Sequence, residues 1–159
     1  MRRRGGALVA STAVIEGDVV LHDQVSVWWN AVLRGDDAQL TVGERTNIQD
    51  LVMVHPDPDV PMIVGRGVTV GHHAVLHGVA IGDHALIGIG SILLTGTKIG
   101  EGAMVAAGAV VREGMEVPPW VLVAGVPAVI KRDLTPEERD GPLYRAEKYW
   151  REACARAEA

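Results

Sequence analysis

The chain has 159 residues, 48% of them hydrophobic, with 19 glycines and no phenylalanine, a composition that suits one compact domain with a core of small aliphatic side chains. Its formal net charge of −5 argues against nucleic acid or an anionic membrane surface as the main partner, and no stretch is long and apolar enough to cross a bilayer. The lone Cys154 excludes an intrachain disulfide and suits a reducing, cytoplasmic setting.

Arg2, Arg3 and Arg4 followed by an apolar stretch imitate a secretory signal, but that stretch already carries the period that organises the chain. Valine, isoleucine or leucine recurs every six residues through Val9, Ile15, Leu21, Val27 and Leu33, then Val42, Ile48 and Val54, then Val64, Val70 and Leu76, then Ile81, Ile87, Leu93, Ile99, Val105 and Val111. Small residues such as Ala13, Ala74, Ala85, Ala103 and Ala109 sit two positions earlier, so both positions point inward from a strand. A period of six matches neither a helix nor a plain strand; it fits a solenoid in which each hexad supplies a short strand and a turn.

Every third hexad falls in one column: Leu21, Val42, Val64, Ile81 and Ile99, the last four each followed by a glycine, Gly43, Gly65, Gly82 and Gly100. The three irregular steps all fall just before that column, at one corner. The spacing therefore predicts an all-β solenoid with three faces per coil, over residues 1–130. Beyond Val111 the repeat fades, passing Pro118, Pro119 and Gly125-Val126-Pro127-Ala128. Thr135-Pro136-Glu137-Glu138 then reads as an N-cap, a first-turn proline and a capping-box glutamate. It predicts a C-terminal helix within 131–159, ending near Glu158, with Leu143, Ala146 and Trp150 on the face that packs along the prism or on a neighbouring subunit.

The candidate chemistry lies in the columns. His55 and His77 each follow a series member, Val54 and Leu76, and so occupy the same outward position on adjacent coils, about 4.8 Å apart. Arg34 occupies that position one coil below. His72 lies at the preceding corner, and an extended path from it to His77 spans roughly 16 Å, too far for both to reach one metal through bonds of about 2 Å. A third ligand must then come from another chain, as in a cyclic trimer with three equivalent interfaces. Gln49 and Asp50 lie one coil below His72 and reach the same interface. Three histidines and an open position form the ligand set that makes zinc catalytic by acidifying water to a pKa near 7. His22, His73 and His84 fall outside this stack and read as surface or turn histidines, and Trp28 and Trp29 as packing or interface aromatics.

Two levels of resemblance follow. The repeat resembles the left-handed parallel β-helix of the hexapeptide-repeat family, and left-handedness comes from that resemblance alone, since parallel crossovers are otherwise nearly always right-handed. Arg34-Gly35-Asp36, Asn47-Ile48-Gln49-Asp50, His55, and His72 with His77, in that order, resemble the γ-class carbonic anhydrases. This implies reversible hydration of CO2 to bicarbonate by a metal-bound hydroxide at the interfaces of a homotrimer; the net charge adds the expectation of no nucleic acid or membrane partner. It implies that His55 and His77 bind the metal in one subunit and His72 in the next. Gln49 would orient the hydroxide, Asn47 would shape the CO2 pocket, and Asp37 would stand at the position of a proton-relay acid. Arg34, Asp36 and Asp50 would form the interface ion pairs. Zinc is the expected metal, with iron and cobalt as alternatives.

The resemblance is incomplete at one loop. Pro56-Asp57-Pro58-Asp59 is short and lacks the glutamate proton shuttle of the family archetype, leaving Asp57 and Asp59 as the acids available there. Alternative readings keep the fold and change the chemistry: a hexapeptide acyltransferase or acyl-CoA thioesterase, towards which Gly125-Val126-Pro127-Ala128 points, or a non-catalytic metal-binding trimer.

Overall fold

A computed structural model describes Met1–Ala157, apart from the side chain of Leu143; the expected helix end at Glu158 lies outside the described residues. The chain folds as the expected left-handed parallel β-helix with a C-terminal helix. Its first face stacks Ala7–Val9, Ser26–Val27, Asn47–Ile48, Thr69–Val70, Leu86–Ile87, Met104–Val105 and Val121–Gly125. The second stacks Met53–His55, Val75–His77, Ile92–Leu93 and Val110–Val111, and the third Met62–Val64, Ala80–Ile81, Lys98–Ile99 and Glu116–Val117. Two longer strands, Val14–Leu21 and Val32–Val42, pass round the corner between the second and third faces and join them into one ten-stranded sheet.

The inward columns are in register from coil to coil. Leu33 pairs with Val54, Leu76 with Val54 and Leu93, and Val42 with both Leu21 and Val64. Leu33, Ile48, Val54, Leu76, Ile87 and Leu93 are fully buried, each contributing roughly 1.5–3 kcal/mol of hydrophobic stabilisation. The alanines two positions earlier are buried too, Ala74, Ala85, Ala103 and Ala109 among them, because strand alternation brings both to the inner wall. Steric crowding explains the glycine column: a Cβ on Gly43 would lie 2.6 Å from the backbone nitrogen of Arg66, and one on Gly82 would lie 2.7 Å from that of Glu101. At these glycine positions no Cβ fits against the next coil.

The corner after the first face turns through one residue with φ near +60° in five successive coils: Asn30, Leu51, His73, Gly90 and Gly108. His73 is thus a turn histidine, and His84 holds the matching position at another corner. Beyond the expected elements, Arg2–Arg4 form a short antiparallel strand on Ala7–Val9, and Ala128–Asp133 returns antiparallel to Val121–Gly125. The boundary placed at residue 130 falls inside this return strand, because antiparallel pairing caps the last open edge of the first face before the helix begins.

The helix spans Pro136–Ala157 and opens on a reciprocal capping box: Glu138 N donates to Thr135 Oγ1 at 3.3 Å, and Thr135 N donates to Glu138 Oε2 at 2.9 Å. It lies across the first face. Ala146 and Ala153 are buried, and Tyr149, Trp150, Cys154 and Ala157 pack with Leu8, Trp28 and Trp29 in a second small core. Trp28 meets Tyr149 edge-on at 5.5 Å and donates its Nε1–H to Ser26 Oγ at 3.1 Å, which makes it a packing residue.

Candidate metal centre

The outward side of the second face carries the histidine column. His55 and His77 are direct register partners on adjacent strands, with ring centroids 5.3 Å apart and planes at 73°. Arg34 follows Leu33, the partner of Val54, and so stands below His55. Its Nη2 lies 2.6 Å from Asp36 Oδ2, a second bond runs from Nε to Oδ1 at 3.1 Å, and this donation holds the Asp36 carboxyl below its ordinary value while raising the guanidinium. The extra residues of the first irregular step carry Asp36 and Asp37 up against His55. His55 Nε2 lies 3.4 Å from Asp36 Oδ1 and 3.2 Å from Asp37 Oδ2. The ligand atoms of these three residues fall within 4.8 Å of one another.

His72 sits at the other end of the second face, on the corner after Val70, with its Nδ1 2.9 Å from Asp50 Oδ2. Beneath it runs a buried polar chain. Asn47 Nδ2 donates to Val68 O and Thr69 Oγ1, Asn47 Oδ1 accepts from Gln49 Nε2 at 3.2 Å, and Gln49 Oε1 accepts the His72 backbone N–H at 3.2 Å. Asn47 is 1% exposed and spends both amide hydrogens on the chain, so here it braces Gln49. Gln49 keeps one N–H and one lone pair uncommitted.

The geometry brings together Arg34, Asp36, Asp37, His55 and His77 at one edge of the second face, and Asn47, Gln49, Asp50 and His72 at the other. Within one chain Asp50 meets His72 rather than Arg34, since the two lie at opposite corners. Sequence reasoning did not find a further pair. Asp57 Oδ1 lies 3.2 Å from His77 Nδ1 and accepts a hydrogen bond from Thr95 Oγ1 at 3.2 Å. The signal for Asp57 was its place in an irregular step; Thr95, in a regular coil, carried none.

These residues fit a metal. His55 Nε2 is buried and has no hydrogen-bond partner among the described residues, although Asp36 and Asp37 oxygens lie 3.4 and 3.2 Å away. An unpaired buried nitrogen is costly, and a cation relieves it. His72 Nδ1 and His77 Nδ1 each lie beside a carboxylate, 2.9 and 3.2 Å away, which leaves the Nε2 lone pair for a metal, the pattern of histidines that hold metals. Beside His72 an apolar groove of about 380 Å3 opens between the first face and the helix, with Gln49, Ile89, Met104, Arg145 and Tyr149 on its walls. Burial pushes the Arg145 guanidinium down and the Tyr149 phenol up.

Comparison with known proteins bears on the family of the chain. Family models described as "Bacterial transferase hexapeptide (six repeats)" and "Hexapeptide repeat of succinyl-transferase" match residues 78–113 and 61–94. A protein named carbonic anhydrase from Geobacillus kaustophilus is 44% identical over 94% of this chain and 88% of its own length. A probable carbonic anhydrase from Methanocaldococcus jannaschii is 54% identical over 82% of each. Among solved structures, a putative acetyltransferase from Bacillus cereus superposes with a TM-score of 0.86 at 39% identity, covering 96% of this chain and 92% of that one. With these identities over most of its length, and with the histidine column in register, the chain belongs to the γ-carbonic-anhydrase-like family of hexapeptide-repeat proteins.

Proposed function

We propose that the chain is a γ-type carbonic anhydrase that works as a homotrimer, with His55 and His77 of one subunit and His72 of the partner subunit holding one metal ion. One observation carries the reading: two imidazoles stacked in register, with the third candidate ligand at the far corner of the same face, braced by its own carboxylate. Zinc suits three imidazoles, as do iron and cobalt. The bound metal supplies Lewis acidity that brings the ionisation of water towards neutral pH. Apolar side chains beside the histidine column, Val32, Met53, Val75, Ile92 and Val110, are all partly exposed to solvent, which supports a subunit contact there.

Hydration joins a water oxygen to the carbon of CO2 and releases one proton. The free N–H and lone pair of Gln49 can orient the reacting oxygen, and the brace from Asn47 keeps that amide from rotating. Asp37, 3.2 Å from His55 and 41% exposed at its side chain, spans the distance from the site to solvent and suits the proton's exit. Arg34 fixes Asp36 and thereby the wall beside His55.

Metal per chain measured on protein purified without chelator, with CO2 hydration assayed on the same sample using zinc and anaerobic ferrous iron, tests the proposal. About one metal per chain, with hydration abolished in His77→Ala, is the expected result. Mixed trimers of His55→Ala and His72→Ala subunits should regain some intact sites, and verified mixed trimers that recover no metal would overturn the shared-site geometry. The apolar groove beside His72 favours a second reading, acyl transfer or acyl-CoA thioester hydrolysis. One metal per chain without hydration would direct assays to acyl-CoA substrates, and inactivity there too would leave a metal-binding scaffold.

A further inference from the structure

Asp57 has no counterpart in the ligand set just described, yet its carboxylate is mostly enclosed, with 20% of the side chain exposed. Two contacts fix it, and a third joins its two partners. Oδ1 lies 3.2 Å from His77 Nδ1, the Thr95 hydroxyl of the next coil donates to the same oxygen at 3.2 Å, and Thr95 Oγ1 is itself 3.4 Å from His77 Nδ1. The carboxylate rests over Gly78, which has φ +58° and where any Cβ would overlap it. Glycine at that position is what lets Asp57 reach back across the strand to His77.

We propose that Asp57 is a positioning residue for His77, with Thr95 as its strut: together they hold the Nδ1–H tautomer and the ring rotation that turn Nε2 outward. The inference rests on the metal-site reading above and extends it to two residues outside the ligand set. Asp50 bears the same relation to His72, Oδ2 to Nδ1 at 2.9 Å, so both exposed histidines would be aimed by a carboxylate behind the ring. Asp57 would thus orient a ligand and not relay a proton. Asp59, at the exposed turn with φ +61°, is the natural control.

The test has two readouts on the intact chain. In metal-free wild type, histidine 15N spectra should show His77 protonated on Nδ1; Asp57→Ala should shift it to a mixture of tautomers, and Asp59→Asn should not. Zinc affinity, measured by competition with a chromophoric chelator, should fall about 10- to 100-fold in Asp57→Ala and less in Thr95→Val. Asp57→Asn should recover part of the loss, because its amide oxygen can accept from the Thr95 hydroxyl and from Nδ1–H. Circular dichroism and sedimentation confirm that each variant folds and assembles as wild type does. The proposal is overturned if metal-free wild type carries the His77 proton on Nε2, or if Asp57→Ala keeps both the tautomer and the zinc affinity. The anhydrase reading fails separately, when wild type binds metal and hydrates no CO2.

Discussion

Two stretches of the same solenoid behave differently. From Ile81 to Val117 the hexads run without interruption, whereas between Leu33 and Ile81 all three irregular steps occur. The cores are alike, since Val54 and Leu76 in the broken stretch are as buried as Ile87 and Leu93 in the regular one. The corners differ. Regular corners close on glycines, and the regular faces carry exposed cross-strand pairs such as Lys98 with Glu116, 2.7 Å apart with both side chains mostly exposed, a contact of little energetic weight. At the broken corner the added residues place Asp36, Asp37 and Asp57 against the two stacked histidines. A uniform core thus tolerates an irregular loop without disturbing the scaffold beneath it, and the acids of the proposed site gather on that loop.

The sharpest way to break this contrast is a matched pair of substitutions. His77→Ala in the broken stretch should remove bound metal and CO2 hydration, while Lys98→Ala in the regular stretch should leave both unchanged; metal analysis and stopped-flow hydration read the difference. Retained metal in His77→Ala would end the claim that the broken coils hold the site. Next in size, Ile87→Ala should cost about 2–5 kcal/mol in denaturant unfolding while metal per folded chain stays constant. Metal loss from protein that remains folded would mean the regular coils shape the site as well. A smaller effect is expected for Gln49→Ala, which should lower turnover at unchanged metal content; loss of metal would make Gln49 structural.

The smallest expected effects lie in the helix, outside both stretches. Thr135→Ala removes the N-cap and should cost about 1 kcal/mol, read as a shift in the unfolding midpoint. Hydrogen bonds from Arg132, and then from the Thr135 backbone, hold the Glu138 carboxyl down at about 2 against an ordinary 4.5. A depressed folded-state pKa stabilises the protein fully above the ordinary value and is lost as pH falls from about 4.5 towards about 2. Glu138→Gln should therefore flatten the melting temperature across that window and leave it unchanged in slope near neutrality. An unaltered acid limb would show that the Arg132 contact is not maintained in solution.

How much was legible varied with the range of the interaction. The three columns, the glycine corner and the capping box all follow from local spacing, and the structure places each where the spacing predicts. His55 and His77 were legible as neighbours because both keep the register that their coils impose. Asp57 and Thr95 were not, because they are 38 residues apart and meet only where an irregular step bends the chain back across the strand. The return strand Ala128–Asp133 was also missed, since the antiparallel pairing that caps a solenoid leaves no hexad behind.

By itself the amino-acid sequence determined the coil, the three faces and the column in which two histidines stack, because a six-residue period sets inward and outward positions without regard to anything beyond the next coil. Tertiary structure alone decided which acid serves which histidine: Asp36 and Asp37 against His55, Asp50 against His72, Asp57 against His77. Those pairings depend on where irregular corners bring side chains from different coils together, and a carboxylate's reach of a few ångströms is shorter than any spacing rule can resolve.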